Sequence, residues 1–116
     1  MRRMLIVDDE VAICECLEDF FAARGFNVAT VFSGEEALSC LDSSEVDVLL
    51  LDINLPGLQG LEVLRRVKQA HPRIKVIMVT GLTDPDLKNT AKRCGASGFV
   101  TKPFDFSEST WAPAFS

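Results

Sequence analysis

Short apolar runs alternate along this chain with stretches in which apolar residues recur every three or four positions. The clearest runs are Met4–Val7, Val46–Leu51 and Lys75–Thr80, with a moderately alternating stretch at Phe26–Val31 and a short strand at Gly98–Thr101. Nearly unbroken apolar runs of this length suit strands covered on both faces, as in a parallel sheet. Between them, Val11, Cys14, Leu17, Phe20 and Phe21 keep helical spacing, and Gly25 stops that helix. Ser33-Gly34-Glu35-Glu36 reads as a capping box for a second helix carrying Ala37, Leu38 and Leu41, with Asp42-Ser43-Ser44 as a loop. Leu61, Val63, Leu64 and Val67 mark a third helix that ends at His71-Pro72. Asp84 and Pro85 open a fourth, with Leu87, Ala91 and Cys94 as its core contacts and Gly95 closing it. Strict alternation of strand and helix predicts one α/β domain, a parallel sheet wrapped by helices through right-handed crossovers.

In that frame, four strands finish with polar groups at one edge. Asp8 and Asp9 follow the first, Asp52 ends the third, Thr80 ends the fourth, and Lys102 lies just beyond the fifth. Open α/β sheets bind ligands at this carboxyl edge. Each residue alone has an ordinary reading: an acid as a helix cap, Thr80 as a strand end, Lys102 as a solvated charge. Together they describe a chemistry. Carboxylates brought together repel, and a divalent cation relieves the repulsion. Oxygen-only donors point to magnesium rather than zinc. A carboxylate nucleophile, a divalent cation, a lysine and a hydroxyl donor are what phosphoryl transfer onto a carboxylate requires.

Composition narrows the field. The 116 residues suit one domain, and the net charge of −5 with no basic run argues against nucleic-acid binding. No apolar stretch approaches a membrane span, and Asp8, Asp9 and Glu10 interrupt the apolar start before it could form a signal peptide, so a cytoplasmic location is expected. Cys14 and Cys16 fall on different faces of their helix and read as thiols in a reducing compartment, as do Cys40 and Cys94. His71 reads as a surface residue on the side away from the acids.

From about Met4 to about Phe104 the sequence resembles a response-regulator receiver domain of two-component signalling. The resemblance rests on Asp8-Asp9, the stretch Asp52-Ile53-Asn54-Leu55-Pro56-Gly57 with Gly60, Thr80, and Lys102-Pro103, in order and at the family's spacing. It implies a flavodoxin-like, doubly wound five-stranded sheet in the order 2-1-3-4-5. It implies Asp52 as phosphoacceptor, magnesium held by the side chains of Asp9 and Asp52 and the backbone carbonyl of Asn54, and Asp8 contributing through water. Lys102 would contact the phosphoryl group, Thr80 would bond to it after transfer, and Phe99 would be the switch aromatic. The implied partners are a sensor histidine kinase or phosphotransfer protein upstream and an unnamed target or output domain downstream.

The end of the chain departs from that pattern. A receiver spanning residues 1–104 is followed at 105–116 by a short segment rich in Ser and Thr and interrupted by Pro113. At most one or two helical turns are expected between Ser107 and Ala112, so the last helix reads as truncated or replaced. Apolar surface beside the first and fifth strands would then need cover from Phe106, Trp111 and Phe115, or from a second copy in a homodimer. Two rivals remain at this stage: a receiver-fold interaction module that works without phosphorylation, and a magnesium phosphohydrolase with an aspartyl intermediate on the same fold.

Overall fold

The computed structural model describes residues 1–116. Its elements follow the alternating pattern: β1 Arg3–Val7, α1 Val11–Ala22, β2 Asn27–Val31, α2 Gly34–Ser43, β3 Val48–Leu51, α3 Gly60–Ala70, β4 Lys75–Thr80, α4 Pro85–Arg93, β5 Gly98–Thr101 and α5 Glu108–Phe115. All neighbouring strands are parallel, in the order β2-β1-β3-β4-β5. This is the doubly wound order that the resemblance implies.

The three central strands are buried on both sides, which is why their sequences show no apolar–polar alternation. Alternation survives instead as a division between two cores. Leu5, Val7, Leu49, Leu51, Val76 and Met78 face α2, α3 and α4. Met4, Ile6, Val48, Leu50, Ile77 and Val79 face α1 and α5. Successive strand residues point to opposite faces, so each strand supplies both cores in turn.

Helix starts behave as their chemistry predicts. The Glu36 N–H donates to Ser33 Oγ at 3.2 Å, and the Ser33 hydroxyl donates to Glu36 Oε1 at 3.1 Å. Asp84 caps α4 by accepting from the Asp86 N–H at 2.9 Å, with Pro85 in the first turn. One boundary differs. Helix α2 runs through Asp42 and Ser43, where a loop was expected, and the Ser43 hydroxyl donates to the Ser39 and Cys40 carbonyls. That backward bond satisfies a side chain that would otherwise favour leaving the helix.

The expected truncation of the last helix is borne out, while its replacement and its end near Ala112 are corrected. Helix α5 is present but short, and it continues through Pro113 to Phe115. Ser107 caps it by accepting from the Thr110 N–H, and Asp105 accepts from the Ser107 and Thr110 hydroxyls. Pro113 lacks the N–H that would reach the Ser109 carbonyl, but Ser109 is exposed. Its ring also has a place to go: a Cβ on Gly98 would lie only 3.1 Å from Pro113, so the bare β5 glycine admits the proline. Trp111 is fully buried, stacks edge-on to Phe21 and Phe104, and donates its indole N–H to the Asp105 carbonyl at 2.8 Å. The uncovered β1/β5 surface that motivated the homodimer is therefore covered by the chain itself.

Candidate functional site

Asp8, Asp52 and Lys102 each lie one residue beyond a strand, and each hangs from the strand beside it. The Asp8 N–H donates to the Val31 carbonyl, Asp52 N–H to Val7, and Lys102 N–H to Thr80. The residues expected to carry the chemistry thus emerge together at one edge. Helix α3 secures the middle of that edge. Gly60 N–H donates to the Ile53 carbonyl at 2.8 Å, and a Cβ at Gly60 would sit 2.0 Å from the Asp52 carbonyl oxygen. Only glycine allows that approach.

The Lys102 Nζ sits among three carboxylates: 2.6 Å from Asp8 Oδ2, 2.9 Å from Asp52 Oδ2 and 3.0 Å from Glu10 Oε1. The other oxygens of the two aspartates are held by backbone. Asp8 Oδ1 accepts from Glu10 N–H at 2.9 Å, and Asp52 Oδ1 from Asn54 N–H at 3.2 Å. Asp8 and Asp52 are buried. Burial pushes the Asp8 carboxyl above its usual range, against the opposing pull of Lys102 and the Glu10 N–H. Burial works against the Lys102 charge as well, but its hydrogen bonds to Asp8, Asp52 and Glu10 outweigh that and raise its pKa. The ammonium is firmly charged.

Carboxylate oxygens of Asp8, Glu10 and Asp52 lie within 4.8 Å of one another. Glu10 is the member that sequence reasoning missed. An exposed third acid after Asp8-Asp9 carries no pattern of its own, and its inward reach depends on the turn closed by its own N–H onto Asp8. Asp9 is exposed and is not a member of this group, and Asn54 is exposed in the loop after Asp52. Thr80 is fully buried, with its Oγ1 accepting from the Leu82 N–H at 3.2 Å. Phe99, half-buried, packs against the core under α2, α3 and α4. The Lys102–Pro103 bond is cis. His71 is at the far end of the sheet, half-buried, with Nε2 3.6 Å from Asp42 Oδ1. Cys14 is buried and Cys16 exposed, on different faces of α1. No helix is long and apolar enough to cross a membrane.

Arranged this way, the edge can hold a hard cation through oxygen donors and present Asp52 and Lys102 to an anionic group. Known proteins share the arrangement's frame. The profile of the response regulator receiver domain matches residues 4–111. The chain is 41% identical over 103 residues to the DNA-binding transcriptional regulator NtrC of Salmonella typhimurium, covering 89% of this chain and 22% of that protein. The match thus spans about a fifth of that protein's length. The chain is 34% identical to sporulation initiation phosphotransferase F of Bacillus subtilis, covering 91% of this chain and 86% of that one. Among solved structures, the receiver domain of NtrX from Brucella abortus superposes with a TM-score of 0.88 at 32% identity, covering 97% of this chain and 94% of that chain. The BeF3-activated DrrB receiver domain gives 0.89 at 31% identity, covering 99% and 95%. Sheet order, strand-end acids and profile agree, and the chain belongs to the response-regulator receiver domains of two-component systems.

Proposed function

We propose that this receiver accepts a phosphoryl group on Asp52 from the phosphohistidine of a sensor histidine kinase or phosphotransfer protein, and passes the signal on by changing conformation. The observation that carries the reading is the Lys102 ammonium, 2.6 Å from Asp8 and 2.9 Å from Asp52 in a buried acidic cluster. In the transfer, an Asp52 carboxylate oxygen attacks phosphorus and the bond from phosphorus to the imidazole nitrogen breaks. The imidazole leaves with the electron pair and takes up a proton, and an acyl phosphate remains. Lys102 offers N–H donors to the phosphoryl oxygens, where charge-assisted bonds are strong.

The donor set fits magnesium, since every available ligand is oxygen. Asp8, Asp9, Asp52 and the Asn54 backbone carbonyl would hold it. Bound there, magnesium supplies neutralisation of the clustered acids and of the incoming phosphoryl charge. Thr80 would leave the Leu82 N–H and donate its hydroxyl to the phosphoryl group, and Phe99 would move into the vacated space. A new dianion at Asp52 favours the state in which that bond is made. The domain serves as a switch in the cytoplasm rather than as an enzyme with a separate product, and its downstream target reads the shifted population.

Intact mass after incubation with magnesium and a small phosphodonor tests this. The parent should gain one phosphoryl group and Asp52→Asn none. A folded parent that gains nothing would favour a module that works without phosphorylation.

A further inference from the structure

A lysine ammonium has three N–H donors. In this chain all three are engaged, by Asp8, Asp52 and Glu10. Lys102 cannot take a phosphoryl oxygen without releasing one of them. The three partners are unequal. The Asp8 and Asp52 side chains are 2% and 6% exposed, whereas that of Glu10 is 59% exposed. Releasing a buried aspartate would leave a carboxylate without its cation in a poorly hydrated place. Releasing Glu10 returns its carboxylate to water at little cost.

We infer that Glu10 is a displaceable place-holder on Lys102, occupying in the resting protein the donor that the phosphoryl group takes during transfer. It is a positioning residue that acts through Lys102, and the inference rests on the phosphorelay reading above. Glu10 keeps the ammonium at the acidic edge and then yields to the stronger anion. Removing it leaves one lysine donor bonded only to water, so the exchange at that donor becomes easier.

Glu10→Ala removes the charge and the acceptor together. Glu10→Asp keeps the charge on an arm too short to hold the 3.0 Å contact. At saturating magnesium, both variants should be phosphorylated about two- to five-fold faster than the parent, the range of an exposed ion pair. In the resting, metal-free protein, the Lys102 ammonium protons should exchange with water faster in both variants by proton–nitrogen NMR. Acceleration in Glu10→Ala alone would mean that Glu10 acts through its general field and not by occupying the donor, which overturns the inference. Unchanged or slower phosphorylation in both variants overturns it too, as does unchanged ammonium exchange. A parent that takes up no phosphoryl group overturns the underlying reading and this inference with it. A competent parent whose variants are no faster overturns this inference alone.

Discussion

Replacing Gly60 with alanine sets two effects of opposite sign against each other. Gly60 is the first residue of α3, and its φ is not in the left-handed region. Helix propensity alone would make Gly60→Ala stabilising by about 0.5–1 kcal/mol. The surroundings say otherwise. The new Cβ would lie 2.0 Å from the Asp52 carbonyl oxygen, 2.6 Å from Ile53 Cα and 2.8 Å from the Asp52 carbonyl carbon. All three are backbone atoms, so no rotamer change relieves the clash, and the two segments must part by more than an ångström. Overpacking of that kind costs about 1–3 kcal/mol, and stretching the Gly60 N–H bond to the Ile53 carbonyl adds about 1 kcal/mol. The clash wins, with a net loss of roughly 1–3 kcal/mol. Urea unfolding followed by the emission of Trp111 measures this without interference, because the chain has one tryptophan and no tyrosine. Gly81→Ala is the control: a Cβ there meets nothing within 4 Å, so its change should stay within about 0.5 kcal/mol. Asp52 is displaced as well, and a misplacement near 1 Å should slow phosphorylation on the order of a hundredfold. A Gly60→Ala protein as stable as the parent would refute the close approach.

Other perturbations probe other parts. Trp111→Ala should lose about 3–5 kcal/mol, read by circular dichroism, since it empties a fully buried site that closes the α1–α5 core; a loss below about 1 kcal/mol would mean that α5 does not dock. Arg65 and Arg66 hold the Glu62 carboxylate down to about 2 by hydrogen bonding, so their stabilisation should be complete above the ordinary carboxylate range and disappear as the pH falls toward 2; parallel acid titrations of parent and Glu62→Gln check the sign. Burial pushes the Cys14 thiol up to about 11, so at pH 8 a thiol reagent should modify exposed Cys16 in the native protein and leave Cys14 untouched until unfolding, as peptide mapping will tell.

Much of this was legible because burial and chemistry used different signals. The central strands announced themselves as apolar runs, and the polar residue closing each run marked the functional edge: Asp8, Asp52 and Thr80 needed no tertiary information to be singled out. What the runs hid was which residue faces which core, because a strand buried on both sides erases its own alternation. Glu10 was hidden for another reason. Its contact with Lys102 spans most of the chain and depends on a turn stabilised by its own N–H, so nothing local marks it. The last helix was underestimated because Pro113 is judged by a rule about helix interiors. That rule lost force where the orphaned carbonyl is exposed and Gly98 makes room for the ring.

The three ladder bonds that end at Asp8, Asp52 and Lys102 have a bearing on quality control. Each of these residues is aimed by a strand other than its own: β2 aims Asp8, β1 aims Asp52, β4 aims Lys102. Since side-chain direction reverses with each residue along a strand, a slip of one register would send a site residue to the opposite face. No subset of strands can therefore assemble the cluster, and under the proposed phosphoacceptor role of Asp52 a partly folded or misregistered chain has no acceptor to offer. Competence to receive a signal is in this way a certificate of complete folding, issued by the sheet and needing no separate check.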